Sequence, residues 1–264
     1  ALIEDVGTGD VTTASTIEPG TSVRAELVAK EDFLLSGIGV AARAFQRLDA
    51  RTAFEPLIQD GQPVRRGEVL AWIKGDAALL LQGERVALNL LQRMSGVATL
   101  TAQYVAEVEG TGAIVVDTRK TTPGLRILEK YSVRIGGGGN HRMALYDGVL
   151  IKDNHITAAG GISAAVGRAR RNVPHTLKIE VEVRNQAEVA EAIDAGADIL
   201  LLDNMDLEQL REAVELVDGR AVTEASGGIN LETIRAIAET GVDLISVGAL
   251  THSYRSVDIS MLFT

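Results

Sequence analysis

From residue 113 onward the apolar residues come in short runs bounded by polar or glycine positions: AIVVD (113–117), GVLIKD (148–153), LKIEVEV (177–183), DILLLDN (198–204), AVTEAS (221–226) and LISVG (244–248). Runs of this length, rich in Val, Ile and Leu, predict strands buried on both faces, as in a parallel sheet. Between most of them the apolar positions recur at helical spacing. In AEVAEAIDAGAD, Val189, Ala190 and Ile193 share one face and Glu188, Glu191 and Asp194 the other, with Gly196 suited to the residue after the helix. In NLETIRAIAETG, Asn230 is placed to cap the start, Ile234, Ile237 and Ala238 face inward, and Gly241 ends the helix. A strand followed by a helix every 20 to 35 residues or so predicts a parallel α/β architecture. A barrel is favoured over a doubly wound sheet, because the first strand is not followed by a G-x-G-x-x-G turn and the tandem continues without a reversal.

The first 95 residues read differently, as mixed α/β. SVRAELVAKEDFLLSG (22–37) alternates in places like a strand, and IGVAARAFQRLD (38–49) puts Val40, Ala44, Phe45 and Leu48 at helical spacing. LIQDGQPVRRGEVLAWIKGD (57–76) offers three short β-like pieces punctuated by Asp60-Gly61 and Arg66-Gly67. The segment is similar to the folded hairpins of biotinyl and lipoyl carrier domains. A carrier needs a modifiable lysine at a hairpin tip, and Lys74 is the one nearby candidate; a structural use is favoured. ALLLQGERVALNLLQRMSGVATLTAQYVAEVEG (78–110) has long helical patterning, with a break expected near Ser95-Gly96.

Composition narrows the function classes. With 264 residues, 46% hydrophobic and 23% charged, the chain can bury a sizeable core. Zero cysteines exclude disulfides, thiolate metal sites and a cysteine nucleophile. The net charge of −10 and the scarcity of aromatic residues (3%) argue against a nucleic-acid partner. No apolar run reaches the roughly 18 residues of a membrane span, and the N-terminus lacks a signal-peptide pattern, so no membrane partner and a cytoplasmic location are expected.

Against that acidic background, residues 117–155 carry seven Lys or Arg and four acids, with four consecutive glycines, Gly136 to Gly139, in the middle. A cationic pocket for a small polyanion and a salt-bridged surface are both open on this stretch alone. The strand ends add to the first reading. Asp117 with Arg119 and Lys120, Lys152 with Asp153, Glu182, Asp203 with Asn204, Glu224 with Ser226, and Gly248 all fall at C-terminal ends of predicted strands. In a barrel those ends share one rim, where active sites are built. A cationic side (Arg119, Lys120, His141, Arg142, Lys152) would then face an acidic side (Glu182, Asp203). Ser226-Gly227-Gly228 and Ser246 to Ala249 follow the last two strands, where barrel enzymes often hold phosphate with backbone N–H groups.

The run DTRKTTPGLRILEKYSVRIGGGGNHRMALYDGVLIKDNHI, with EVEV (180–183), LLDN (201–204), SGGI (226–229) and EDVGTGDVTT (4–13), closely resembles the quinolinate phosphoribosyltransferases over essentially the whole chain. That resemblance implies an N-terminal α/β sandwich domain over 1–96, an incomplete α/β barrel over 97–251, and a C-terminal tail, 252–264, packing back on the first domain. It implies transfer of quinolinate onto 5-phosphoribosyl 1-diphosphate with Mg²⁺, giving nicotinate mononucleotide, diphosphate and CO₂ for NAD synthesis. Carried over by motif, the quinolinate pocket falls on Arg119 and Lys120 of TRK, His141 and Arg142 of NHR, and Lys152. Arg85 of GER would enter the partner subunit's site in a homodimer, or in a higher oligomer built from it. Glu182 and Asp203 match the acidic pair near ribose and metal, and Ser226, Gly227 and Gly248 the phosphate loop. Lys120 and Lys152 are expected to act in catalysis beside the acidic pair. Strand alternation puts Glu180 and Glu182 on one face, so only the resemblance chooses between them. Arg126, Lys130 and Arg134 are left as solvated or dimer-interface charge. A phosphoribosyltransferase for a monocarboxylate such as nicotinate is disfavoured by five clustered cations, and a sugar-phosphate barrel enzyme has no need of the TRK and NHR clusters.

Overall fold

These patterns resolve in the computed structural model, which describes residues 1–264. In chain order the first half comprises α1 (Leu2–Val6), α2 (Val11–Thr16), β1 (Ser22–Ala29), β2 (Phe33–Leu34), α3 (Ile38–Leu48), β3 (Ala53–Pro56), β4 (Pro63–Val64), β5 (Val69–Asp76) and α4 (Ala77–Glu107). The second half comprises β6 (Ile114–Val116), α5 (Arg126–Ile135), β7 (Val149–Ile151), α6 (Asp153–Ala159), α7 (Ile162–Asn172), β8 (Ile179–Val183), α8 (Gln186–Asp194), β9 (Ile199–Asp203), α9 (Leu207–Val217), β10 (Val222–Ser226), α10 (Ile234–Ala238), β11 (Leu244–Ser246), α11 (Ala249–His252) and β12 (Ile259–Phe263). Two compact units emerge, Ala1–Ala102 with Ile127–Gly136 and Tyr254–Thr264, and Gln103–Arg126 with Gly137–Ser253. No helix is long and apolar enough to cross a membrane.

The first unit is an antiparallel sheet, ordered β12-β1-β5-β3, with helices packed on it. Alternation in β1 buries Ala25, Leu27 and Ala29 on one face, where they meet Leu70 and Ile73 of β5. Helix α3 contributes Ile38, Ala41, Ala44 and Phe45, the i, i+3 and i+7 spacing of a single buried stripe. The last strand, β12, closes the sheet edge against β1 from Ala25↔Phe263 to Ala29↔Ile259. Lys74 lies inside β5, paired with Arg24 on one side and Ala53 on the other, so it is not at a hairpin tip and the carrier reading loses its modifiable lysine.

Two expectations fail in this unit, each for a packing reason. Helix α4 continues through Ser95 and Gly96 without a break. Ser95 Oγ accepts from the Ser36 amide at 3.1 Å, and a Cβ on Gly96 would lie 2.2 Å from the Arg255 carbonyl oxygen. The pair serves close approach of neighbouring backbone and does not end the helix. Lys130 of α5 is not solvated charge: it is fully buried, next to Glu129, which receives Arg93 Nε at 3.1 Å. Arg126 is half-buried and donates to Thr121 Oγ1 at 2.8 Å and to the Met143 carbonyl at 3.1 Å, whereas Arg134 is exposed as expected.

The second unit is the incomplete barrel. All six predicted runs form strands, ordered β6-β11-β10-β9-β8-β7 and all parallel. Strands β6 and β7 do not pair, which leaves the barrel open. Part of the glycine run lies along β6: the Gly139 N–H donates to Val115 O at 2.8 Å and the Asp117 N–H to Gly139 O at 3.2 Å. Helix α8 buries Val189 and Ala192. The Asn230 carboxamide oxygen accepts from Glu232 and Thr233 amides at 2.9 and 3.1 Å, capping the turn that leads into α10.

Because the space over Gly96 is filled by backbone rather than by a flexible side chain, Gly96→Ala is expected to destabilise the protein by about 1 to 3 kcal/mol despite Ala's better helix propensity. Urea unfolding compared with wild type checks this.

Candidate active site

The C-terminal ends of the barrel strands surround a cavity of about 670 Å³. Of the sequence-predicted site residues, Arg119, Lys120, His141, Arg142, Lys152, Asp203, Ser226, Gly227 and Gly248 line it. Glu182 is not in the lining but is bonded to it, through Lys152 Nζ at 2.8 Å. Arg85, exposed on α4 in the other unit, does not line the cavity.

The basic side is held by local bonds. Asp117, fully buried at the end of β6, accepts from Asn140 Nδ2 at 2.6 Å and from the His141 amide at 2.9 Å, which fixes the NHR segment over the strand ends. The TRK segment is tied by Thr251 Oγ1 donating to the Lys120 carbonyl at 2.9 Å and by the Lys120 amide donating to Thr118 Oγ1 at 3.0 Å. Arg142 Nη1 donates to the Gly148 carbonyl at 2.9 Å, while its Nε is buried without a partner. Burial and then the charge of Arg119 both push the Arg142 guanidinium pKa down. Two guanidiniums held this close, one with a spare buried donor, are stabilised by an anion carrying more than one negative charge.

His141 faces inward. Its Nδ1 accepts from the Arg142 amide at 2.7 Å, and its Nε2 lies 3.0 Å from Glu180 Oε2 and 3.7 Å from Glu224 Oε1. These partners place the ring proton on Nε2. The alternation along β8 that left Glu180 and Glu182 indistinguishable is resolved by their partners: Glu180 meets His141, and Glu182 meets Lys152 and Arg184. Burial, followed by the charge of Glu180, pushes the Glu224 carboxyl up to about 7, with His141 acting in the opposite direction. This layer separates the rim cavity from a second one of about 460 Å³, which reaches the other end of the strands at Lys178, Ile199 and Leu244. His141, Glu180 and Glu224 also bring one ligand atom each within 4.8 Å of one another.

On the acidic side, Arg184 Nη2 lies 3.4 Å from Glu182 Oε1 and Arg184 Nε lies 3.6 Å from Asp203 Oδ2. The phosphate-loop candidates have a tight geometry. Gly227 has φ +105°, and a Cβ there would lie 2.2 Å from Asn204 Oδ1. Asn204 itself is left-handed at φ 55° and donates its amide to the Ser226 carbonyl at 2.9 Å. Only glycine combines that backbone with that space. Two ionisable lining residues escaped the sequence reading as site members. Glu224 was visible only as one more strand-end acid, and His252 carried no strand-end signal, although it sits four residues, one helical turn, past Gly248.

Known proteins with the same features complete the picture. Residues 10–95 match the profile of the quinolinate phosphoribosyl transferase N-terminal domain, and residues 97–262 that of the C-terminal domain. A Bacillus subtilis protein named probable nicotinate-nucleotide pyrophosphorylase (carboxylating) is 48% identical over 260 residues, covering 98% of this chain and 90% of that one. The chloroplastic nicotinate-nucleotide pyrophosphorylase of Arabidopsis thaliana is 44% identical over 284 residues, covering 99% of this chain and 80% of that one. The solved nicotinate-nucleotide pyrophosphorylase of Francisella tularensis superposes with a TM-score of 0.95 at 40% identity, over 100% of this chain and 93% of that one. Human nicotinic acid phosphoribosyltransferase, at 13% identity and a TM-score of 0.64 over 92% of this chain and 70% of that one, shares the fold alone. The chain belongs to the quinolinate phosphoribosyl transferase family.

Proposed function

We infer that this protein is a quinolinate phosphoribosyltransferase. It joins quinolinate to 5-phosphoribosyl 1-diphosphate and releases diphosphate and CO₂, forming the nicotinate mononucleotide used in NAD biosynthesis. The carrying observation is the rim cavity, in which Arg119, Lys120, Arg142 and Lys152 lie with Asp203 and, through Lys152, Glu182. One wall suits a dicarboxylate, the other a developing sugar cation. The cytoplasm is the compartment we propose.

The division of labour follows from charge. Arg119, Arg142 and Lys152 bind the two carboxylates and aim the pyridine nitrogen at the anomeric carbon. Both ring nitrogens of His141 have protein partners, so it serves the pocket by orienting the Arg142 backbone and by packing against the substrate. As the nitrogen–carbon bond forms and the carbon–oxygen bond to diphosphate breaks, Glu182 and Asp203 stabilise positive charge on the ribose, while Lys120 faces the leaving group. The backbone at Ser226, Gly227 and Gly248 holds the 5-phosphate. Alkylation turns the ring into a pyridinium. The adjacent carbon–carboxylate bond then breaks, its electron pair stays on the ring carbon and takes a proton from water, and CO₂ departs.

The acidic pair also fits a divalent ion, because one guanidinium already lies against both Glu182 and Asp203. Mg²⁺ held there would neutralise charge on the departing diphosphate. For assembly we propose a homodimer in which Arg85, exposed on α4 and within the GER motif, completes the partner's quinolinate pocket.

Purified protein given quinolinate and 5-phosphoribosyl 1-diphosphate is expected to release CO₂ and nucleotide in equal amounts. Nucleotide from nicotinate, with none from quinolinate, would overturn the assignment. Asp203→Asn is expected to lower kcat by roughly two to three orders of magnitude, read from initial rates at saturating substrates. Mixing inactive Arg85→Ala and Arg142→Ala proteins under conditions of subunit exchange is expected to restore part of the activity, since hybrid dimers regain one intact site; no recovery despite exchange would rule out a shared site. Glu224 adds a pH signature. Its pKa is raised from 4.5 to about 7 in the folded protein, so the stability it contributes is fully present below pH 4.5 and is lost as the pH rises through 7. Urea unfolding of Glu224→Gln is therefore expected to show stability gaining on wild type between pH 5 and pH 8.

A further inference from the structure

Arg184 follows β8 directly, two residues beyond Glu182, and belongs to none of the motifs that carried the family resemblance. Its backbone is fixed, because the Arg184 amide donates to Glu188 Oε2 at 2.7 Å and Asn185 caps α8. Its side chain is not fixed by burial, being 53% exposed. It nevertheless turns back over the rim and touches three carboxylates: Asp153 at 3.1 Å, Glu182 at 3.4 Å and Asp203 at 3.6 Å. Two of these are largely buried, with Glu182 only 8% and Asp203 19% exposed, whereas Asp153 is 51% exposed.

An ordinary surface ion pair has one partner and contributes little. This one lies against both members of the acidic pair. Lys152 occupies the other oxygen of Glu182 at 2.8 Å, so two protein cations neutralise acids that would otherwise repel each other across adjacent strands. A divalent ion bound by the same carboxylates meets the Arg184 charge at close range. Asp153, on the solvent side, offers the guanidinium a partner when it leaves the pair.

We propose that Arg184 is a built-in counter-ion of the acidic pair, one that a divalent cation must displace, so that it sets the concentration at which the site takes up metal. The inference rests on the reading of Glu182 and Asp203 as the metal carboxylates. Arg184 acts through those groups and is a positioning residue. Its cost is weaker metal binding, and its benefit is that the acids stay paired and oriented until the ion arrives.

The test is direct Mn²⁺ binding to the full chain, followed by electron paramagnetic resonance without substrates, on wild type, Arg184→Gln, Arg184→Lys and the double variant Arg184→Gln/Glu182→Gln. Removing a unit positive charge beside a divalent ion, with solvent screening, is expected to tighten Mn²⁺ binding roughly tenfold in Arg184→Gln. Arg184→Lys should stay near wild type, and the double variant should lose the gain. Saturable Mn²⁺ binding that is equal in wild type and Arg184→Gln, or a gain that survives loss of Glu182, would overturn the role of Arg184 and leave the metal reading standing. No binding to either protein at millimolar Mn²⁺ would overturn both. A merely structural ion pair would lower the melting temperature of Arg184→Gln without tightening Mn²⁺ binding, and that result also sinks the proposal.

Discussion

Carboxylates on the inner face of a parallel sheet need cations, and much of the second unit is arranged to meet that need. Strand alternation sends Ile179, Val181 and Val183 toward the apolar layer and Glu180 and Glu182 to the other side, all of them buried. Glu224 on β10 adds a third buried acid. None of these acids has a cation on its own strand. Their partners come from outside those strands: the His141 ring for Glu180 and Glu224, and Lys152 and Arg184 for Glu182. The basic patch and the acidic strands are therefore two halves of one electrostatic unit, and neither would be stable where it is without the other.

The same constraint gives the site its layers. At the rim, cations without full complements of partners, Arg142 above all, invite an anion. Below them His141 and the two glutamates form a layer in which burial, and then the charge of Glu180, pushes the Glu224 carboxyl pKa up. Pairing within that layer turns the His141 ring toward Glu180 and Glu224 while the residue still lines the rim cavity. At the acidic wall the balance is tighter still, since Lys152 and Arg184 together cover Glu182 and Asp203.

Much of this was legible beforehand because it depends on local pattern. The six apolar runs, the helices between them and the turns at Gly61 and Gly67 follow from periodicity and backbone stereochemistry, which neighbouring residues already specify. The strand-end positions of Asp117, Lys152, Glu182, Asp203 and Ser226 needed only that pattern and the rule that barrel strands present their C-terminal ends to one rim. Where long-range packing intervened, the local signal misled. Gly96 looked like a helix break and serves backbone approach, and Lys130 looked solvated and is buried.

What the sequence by itself determined, then, is the order and type of the elements in the barrel and the set of charges available at their ends, because both are properties of single segments. What only the tertiary structure decided is who partners whom. Glu180 and Glu182 are identical by alternation and differ in the side chains that meet them, the His141 ring for one and Lys152 with Arg184 for the other. Arg184, silent as a motif, gains its meaning from lying against Glu182 of the strand it follows and Asp203 on the next. The family resemblance supplied a role for His141, but only the placement of Glu180 and Glu224 around its ring shows which way it faces. Charges act through space, and their distances are set by the sheet order rather than by the spacing of residues along the chain.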